Sequence, residues 1–253
     1  MEHDAVVREF THQAEGFNAS EAMRSEDALA RFIRKIPAGP AEQWLDAACG
    51  PGLVARALAP RVAHVHGVDV TPTMLEVARR ETARAGIANV EYSLADATAL
   101  DFADASFDGA VTRFSLHHVP LPVRVVRELA RVVRPGGIVA IADHITTTDP
   151  DAAAWHQEVE RLRDGSHWAC LTPARLRATA EEVGLTLVDA ESWPLTLPFS
   201  EWLGRASGGP KAHMLVAAAL AERPGGVETF RVDTGADGEE RLTLTLHASV
   251  WRR

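Results

Sequence analysis

Residues 46–52 read DAACGPG, and they join the apolar residues Trp44 and Leu45 to the segment LVARALAP at residues 53–60. Gly50 and Gly52 carry no Cβ, so the backbone of this loop can approach a ligand closely. A glycine-rich turn between a strand and a helix is typical of a nucleotide-binding site. Residues 50–55, GPGLVA, also fit the dinucleotide pattern G-x-G-x-x-A. The glycine spacing alone therefore leaves the identity of the ligand open.

Apolar runs alternate with helical patterns along the rest of the chain. Five such runs are nearly continuous and are separated by predicted helices, which indicates a parallel sheet covered on both faces. The last run alternates strictly between apolar and polar residues, which predicts an antiparallel strand with one solvated face. The seven predicted strands cover residues 43–49, 62–70, 89–96, 109–116, 138–145, 185–193 and 240–251.

The composition indicates one globular domain. The net charge of −9 argues against a nucleic-acid partner, because phosphate binding needs a basic face. The N-terminus is polar and no apolar run is long enough to cross a bilayer, so we expect a cytoplasmic protein with no membrane partner. We predict a single domain over residues 1–253, with a helical lid at 1–40, a cofactor-binding core at 41–145, and a substrate-side insert with the last two strands at 146–253.

Three aspartates distinguish between the possible ligands of the glycine loop. Asp46, Asp69 and Asp96 end the first three predicted strands, whose carboxyl ends share one crevice. Asp46 lies directly before the loop, where it would repel the diphosphate of a dinucleotide. S-adenosylmethionine carries an ammonium and a sulfonium and no phosphate, and a charge-assisted hydrogen bond to it contributes about 1.5–3 kcal/mol. Asp69 can accept the ribose hydroxyls, and Asp96 can accept the adenine amino group.

The stretches WLDAACGPG, VHGVDVTPTML, RELARVVRPGGIVAIAD and LTPARLRATAEEVGL occur in that order between Trp44 and Leu185. With them the sequence resembles class I S-adenosylmethionine-dependent methyltransferases, nearest to the ubiquinone/menaquinone-biosynthesis type. The first glycine of that family's loop is Ala48 here. The resemblance implies a Rossmann-like α/β fold, with a seven-stranded mostly parallel sheet, one antiparallel strand, helices on both faces, an N-terminal helical lid and a helical insert after strand five. The cofactor-binding residues expected on these grounds are Asp46, Ala48, Gly50, Gly52, Asp69, Val70, Met74, Asp96, Ala97 and Arg113.

The acceptor side of the crevice is predicted from two strand ends. His117 and His118 follow strand four, and Asp143 ends strand five. A neutral histidine that is oriented by a carboxylate can take a proton from an acceptor hydroxyl, so these three residues are the expected catalytic group. If the strand alternation continues through Leu116, His117 is expected to point into the crevice and His118 away from it. The expected substrate-pocket residues are Phe17, His144, His167 and Trp168.

The sequence predicts methyl transfer from S-adenosylmethionine to a small-molecule acceptor through an oxygen, nitrogen or carbon atom, with secondary metabolism as one possible setting. Two alternatives stay open, namely an NAD(P)-dependent oxidoreductase and a cofactor-binding protein that does not transfer methyl groups. His64 and His66 share a strand face, but no further ligands can be placed beside them, so no metal is expected. The chain is expected to be a monomer or a homodimer.

Overall fold

The computed structural model describes residues 2–253, with side chains from residue 4 onward. Its N-terminal segment is mostly helical, and two serine side chains cap short helical segments. Ser20 Oγ accepts a hydrogen bond from the Met23 amide, and Ser25 Oγ accepts one from the Ala28 amide, both at 3.2 Å. The elements here are α1 (Glu2–Ala19), α2 (Glu21–Arg24), a π-helical turn (Glu26–Ala30) and α3 (Arg31–Lys35).

Strands and helices then alternate, as the apolar runs predict. Pro72 and Pro122 each stand in the first turn of a helix, where the missing N–H has no helical partner to lose. The elements are β1 (Gln43–Ala47), α4 (Leu53–Leu58), β2 (His64–Asp69), α5 (Pro72–Arg84), β3 (Val90–Leu94), β4 (Phe107–Arg113), α6 (Pro122–Val132) and β5 (Val133–His144).

The last part of the chain adds helices and three more strands. Thr172 caps one helix by accepting a hydrogen bond from the Arg175 amide, and Asp149 caps another through the Ala152 amide. The elements are α7 (Pro150–Arg163), α8 (Pro173–Glu182), β6 (Thr186–Pro198), α9 (Phe199–Arg205), α10 (Gly209–Ala221), β7 (Phe230–Thr234) and β8 (Glu240–Arg252).

All of these strands form one sheet in the order β3-β2-β1-β4-β5-β8-β6, with β7 paired to β8. Strand β8 runs antiparallel to β5, β6 and β7, and β1 to β5 are mutually parallel. The predicted α/β class, with a mostly parallel sheet and one antiparallel strand, is confirmed. The predicted count of seven strands omits β7, whose residues FRVDT the sequence analysis did not assign to a strand.

Strand β8 departs from the prediction of a half-solvated strand. Residues 240–245 alternate in burial, but residues 246–251 are all buried. This second half lies between β5 and β6. Its side chains enter the apolar clusters on both faces of the sheet, with Val250 in one cluster and Trp251 in the other.

Two apolar clusters cover the two faces of the sheet and hold its parallel strands rigid. Trp44 and Leu45 of β1 are fully buried and belong to different clusters. Burial on both faces explains why β1 reads as a continuous apolar run. The carboxyl ends of β1, β2 and β4 therefore lie on a fixed framework at one edge of the sheet. Among residues 2–253, every helix is too short or too polar to cross a membrane.

Candidate active site

A cavity of about 480 Å³ opens at the carboxyl ends of the parallel strands, which is where α/β sheets bind ligands. Helix α1 and the segment at residues 165–168 form its other walls. Of the residues expected to bind the cofactor, those that line the cavity are Asp46, Ala48, Gly50, Asp69, Val70, Met74, Asp96, Ala97 and Arg113. Gly52 does not line it.

The glycine loop turns sharply because three of its residues have left-handed backbone conformations. The φ angles are 53° at Ala48, 52° at Gly50 and 77° at Gly52. A Cβ at Gly52 would collide with the hydroxyl of Tyr92. Gly52 thus lets the loop lie against β3 and does not itself face the ligand space. At Ala48, a residue with a Cβ occupies a conformation that costs about 1–2 kcal/mol.

Asp46 is buried beneath the loop with 1% of its surface exposed. Its Oδ2 accepts a hydrogen bond from the Ala55 amide in the first turns of α4 at 2.9 Å. Burial raises the pKa of Asp46 to about 7, although the Ala55 hydrogen bond and the positive charge of Arg113 oppose the rise. The carboxyl group is therefore poised to ionise when a cation approaches it.

Asp69 holds the loop and also faces the cavity. Its Oδ2 accepts a hydrogen bond from the Gly50 amide and its Oδ1 accepts one from the Thr71 amide, both at 2.8 Å. Burial raises the pKa of Asp69, and these backbone hydrogen bonds oppose the rise. Each carboxylate oxygen keeps a further lone pair, so Asp69 can accept ribose hydroxyls without releasing the loop.

Asp96 is held in place by its own turn. The amide and the hydroxyl of Thr98 each donate a hydrogen bond to its carboxylate at 2.8 Å. Asp96, Ala97 and Thr98 all line the cavity beyond the end of β3. The binding of the adenine end of a cofactor at this position stays a prediction.

Arg113 lines the cavity but binds protein backbone. Its Nη1 donates hydrogen bonds to the carbonyl oxygens of Met23 and Ala28 at 3.1 and 3.0 Å. Its guanidinium carbon lies 4.9 Å from the ring centre of Phe114. Burial lowers the pKa of Arg113 to about 10, so it stays charged at neutral pH. Arg113 thus fastens the N-terminal helices to the end of β4, a role that the sequence did not predict.

His117 and Asp143 form a buried pair. His117 Nδ1 lies 2.6 Å from Asp143 Oδ1, while Asp143 Oδ2 accepts hydrogen bonds from the Leu116 and His117 amides. Burial alone would raise the pKa of Asp143, but the charge and hydrogen bond of His117 and the hydrogen bond of His144 lower it far below its usual value. The carboxylate therefore orients His117 and fixes the turn that carries both histidines.

His118 occupies a different environment from its neighbour. Its Nδ1 lies 3.2 Å from the Ser166 carbonyl oxygen and 3.1 Å from Ser166 Oγ. A carbonyl oxygen only accepts, so Nδ1 carries the proton and Nε2 keeps its lone pair. Burial, and secondly the charge of His117, lowers the pKa of His118 to about 3. His118 is therefore neutral at physiological pH.

The structure changes the expected orientation of the two histidines. Residues 116–118 form a 3-10 turn instead of continuing β4, so the alternation through Leu116 does not apply. His118 lines both the main cavity and a smaller one of about 50 Å³ beside it, whereas His117 lines only the smaller one. Asp143 contacts His117 and not His118, so the three residues do not form one relay.

The expected substrate-pocket residues are distributed over the same two cavities. Trp168 lines only the main cavity, Phe17 and His167 line both, and His144 lines only the smaller one. The predicted site leaves out several lining residues, of which half lie next to predicted site residues in the chain. These are Val6, Phe10, Cys49, Phe114, Val119, Leu121, Arg124 and Ser166.

Comparisons with known proteins agree with this architecture. A methyltransferase domain family matches residues 45–141. The uncharacterized methyltransferase YcgJ of Bacillus subtilis is 30% identical over 196 residues, which are 78% of each chain. A demethylmenaquinone methyltransferase of Clavibacter sepedonicus is 32% identical over 190 residues, or 74% of each chain. The crystal structure of YcgJ has a TM-score of 0.84 at 26% identity and covers 90% of this chain and 99% of that one.

The sheet order and the loop after β1 define a class I methyltransferase fold. The chain belongs to the S-adenosylmethionine-dependent methyltransferases of the ubiquinone/menaquinone-biosynthesis kind. It is an enzyme that transfers a methyl group from S-adenosylmethionine, and none of these comparisons favours the oxidoreductase alternative. The residues present fit that cofactor, because Gly50 brings the loop backbone to the cavity and Asp69 offers free lone pairs beside it.

Proposed function

We propose that this methyltransferase methylates a hydroxyl group of an apolar small molecule, with His118 as the general base. The observation that carries the proposal is the hydrogen bond from His118 Nδ1 to the Ser166 carbonyl. It leaves Nε2 with its lone pair on a residue that lines the same cavity as the cofactor residues. A neutral imidazole in that position can accept the proton of an acceptor hydroxyl.

Three groups of residues would hold the cofactor in this proposal. The loop at Ala48–Gly50 and the carboxylate of Asp46 would receive the methionine part, Asp69 the ribose, and Asp96 the adenine. S-adenosylmethionine supplies an activated methyl group when it is bound. In the reaction the acceptor oxygen gains that methyl group and gives its proton to His118, and S-adenosylhomocysteine leaves.

His117 and Asp143 act as positioning residues in this proposal. Asp143 accepts hydrogen bonds from the amides of Leu116 and His117, and so it fixes the 3-10 turn that presents His118. The ring of His117 lies beside that of His118 with 4.1 Å between their centroids. A charge on His117 would hinder protonation of His118, so this contact, like burial, makes His118 a weaker base.

The apolar mouth of the cavity supports an apolar acceptor. Leu121 and Trp168 line the cavity, and each is 51% exposed. Phe10 packs edge-on against His118 with 4.8 Å between ring centroids. Arg124 also lines the cavity and can bind an acidic group on the acceptor. These side chains suit a flat apolar molecule with a hydroxyl placed near His118.

Alignment would supply most of the rate acceleration. Holding the acceptor against an activated carbon contributes up to ~7–11 kcal/mol, and a general base contributes a factor of ~10²–10⁴. Loss of His118 should therefore leave measurable turnover. An acceptor nitrogen with a free lone pair would depend on the base far less.

The experiment begins with a panel of apolar hydroxyl compounds, with S-adenosylhomocysteine formation as the readout. His118→Ala should lower the single-turnover rate by ~10²–10⁴ and leave cofactor affinity unchanged. His64→Ala is the matched control, because His64 pairs with Glu91 near the start of β2, away from the cavity. A His118→Ala rate equal to that of wild type would contradict the proposal.

We also propose the predicted division of residues 1–253 into one domain with a helical lid. The packing of α1 residues Phe10 and Phe17 on the cavity supports the lid. A cytoplasmic location, the absence of a nucleic-acid partner, and a monomeric or homodimeric state stay predictions.

A further inference from the structure

Behind the active-site cavity, four side chains from three segments converge in the interior. His144 ends β5, His156 and Glu160 lie one turn apart on α7, and Cys170 lies in the segment before α8. Their exposed fractions are 6%, 0%, 3% and 4%. One ligand atom from each of His144, His156 and Cys170 lies within 4.8 Å of the other two.

The polar atoms of this cluster contact one another but make no well-formed hydrogen bond within the described chain. His144 Nε2, His156 Nε2 and Glu160 Oε1 are all buried, and the glutamate oxygen makes only long ion-pair contacts with the two histidines. Buried polar atoms are almost always paired with protein, water or an ion through good hydrogen bonds or metal bonds. Three such atoms gathered at one point suit a ligand that all three share.

The distances suit a tetrahedral metal ion. Glu160 Oε1 lies 3.4 Å from His144 Nε2 and 3.8 Å from His156 Nε2. Metal–ligand bonds of about 2.0–2.3 Å in a tetrahedral site place ligand atoms roughly 3.3–3.7 Å apart. The separations of Glu160 from the two histidines are therefore close to the edges of such a tetrahedron, and the ligand atoms of His144, His156 and Cys170 lie within 4.8 Å of one another.

The outer contacts of the two histidines are also those of metal ligands. The Nδ1 of His156 lies 3.1 Å from Thr146 Oγ1, and the Nδ1 of His144 lies 3.5 Å from Asp143 Oδ1. Ligating histidines commonly donate their second N–H to such oxygen atoms, which turns the other nitrogen toward the metal.

We infer that His144, His156, Glu160 and Cys170 form a buried site for a divalent transition metal, with Zn²⁺ as the best fit. Two imidazoles, a thiolate and a carboxylate are the donor types that Zn²⁺ takes in proteins. The thiolate and the carboxylate together balance the charge of the ion, so the interior carries no net charge. This inference departs from the expectation of no metal, and it does not depend on the identity of the methyl acceptor.

A second grouping nearby, His117 with Asp143 and His144, is a weaker candidate. The Oδ1 of Asp143 is already bound by the His117 ring and the His144 amide, and its Oδ2 accepts two further amides. That carboxylate has little capacity left for an ion. The cluster with Cys170 has buried atoms without a well-formed hydrogen bond instead.

The metal would have a structural role at the acceptor end of the cavity. It would join the end of β5 and α7 to the segment before α8. That segment carries Ser166 and Trp168 into the cavity, and the amides of Trp168 and Ala169 donate hydrogen bonds to the His117 carbonyl at 2.8 and 3.1 Å. Fixing Cys170 would thus fix the wall beside His118.

The test uses the untagged full chain, produced with added zinc and dialysed against a weak chelator. Elemental analysis should find about one zinc per chain. After zinc is removed and Co²⁺ is added, the absorption spectrum should show a thiolate-to-cobalt charge-transfer band and tetrahedral d–d bands.

Two variants assign the ligands. Cys170→Ser should lose the charge-transfer band and His156→Gln should bind Co²⁺ at least ~10-fold more weakly, whereas Cys49→Ser, which changes the other free cysteine, should keep the band. Wild-type protein with neither bound zinc nor a cobalt spectrum would overturn the inference, whether or not the variants fold. A charge-transfer band that persists in Cys170→Ser and disappears in Cys49→Ser would overturn it as well.

Discussion

Cofactor binding should be coupled to ionisation of Asp46. Its pKa of about 7 in the free protein means that about half of the molecules carry a neutral carboxyl at neutral pH. The cofactor ammonium needs the carboxylate, so the apparent dissociation constant is multiplied by the factor 1 + 10^(pKa − pH). This factor is ~1.1 at pH 8 and ~11 at pH 6, which predicts about tenfold weaker binding at the lower pH.

The same shift predicts how the stability of the cofactor-free protein depends on pH. A carboxyl whose pKa is higher in the folded chain than in the unfolded chain stabilises the fold below the unfolded pKa. That stabilisation is lost as the pH rises from 3.8 to about 7. The change from this one group amounts to about 4 kcal/mol, since one pKa unit corresponds to ~1.4 kcal/mol.

Isothermal titration calorimetry between pH 6 and 8 measures the coupling, with S-adenosylhomocysteine as the ligand. Two buffers of different ionisation enthalpy report the released protons directly. Asp46→Asn is the control, because it keeps any titration of the ligand and removes that of the carboxyl. If wild type and Asp46→Asn show the same pH slope, then Asp46 does not bind the cofactor ammonium and this reasoning is wrong.

Three further variants test the glycine loop and the ribose site. Asp69→Ala should weaken cofactor binding by ~10-fold or more. It should also lower the free energy of unfolding by about 2–4 kcal/mol, because the Gly50 and Thr71 amides lose their acceptor. Calorimetry measures the affinity and urea unfolding the stability, and an unchanged affinity would refute the ribose assignment. Ala48→Gly should leave cofactor affinity unchanged and raise the free energy of unfolding by up to ~1 kcal/mol, because φ is 53° there; a clear fall in the urea midpoint contradicts this. Gly52→Ala should weaken cofactor binding by ~10-fold or more, because the new Cβ collides with the Tyr92 hydroxyl. The double variant Gly52→Ala/Tyr92→Phe should recover part of the lost affinity. No recovery would mean that the strained φ of 77° at Gly52, and not the collision, is the cause.

The sequence alone determined the fold class and the cofactor side of the site. Asp46, Asp69 and Asp96 could be placed because each follows an apolar run directly, and parallel strands bring their carboxyl ends to one edge. These inferences need only the path of the backbone, which the local pattern of apolar and polar residues predicts well. The order of the strands came from the structure, because sheets with the same alternation of strands and helices occur in more than one order.

Side-chain direction outside regular elements was decided only by the tertiary structure. His117 and His118 are adjacent in the chain and both line the smaller cavity, yet the 3-10 turn that carries them brings only His118 to the main cavity. Arg113 looked like a cofactor ligand but binds the carbonyls of Met23 and Ala28, which are far away in sequence. The periodicity of apolar residues cannot predict such a partner, because it concerns only residues within one helix or strand.

The cluster of His144, His156, Glu160 and Cys170 is a second case in which the sequence alone could not predict which side chains meet. Its four residues span a strand end, a helix and an irregular segment, and no spacing among them matches a metal motif. They meet because α7, which packs against α10, places His156 and Glu160 beside the end of β5. The sequence thus determines which residues can serve as ligands, while the packing of segments that are distant in the chain determines which of them meet.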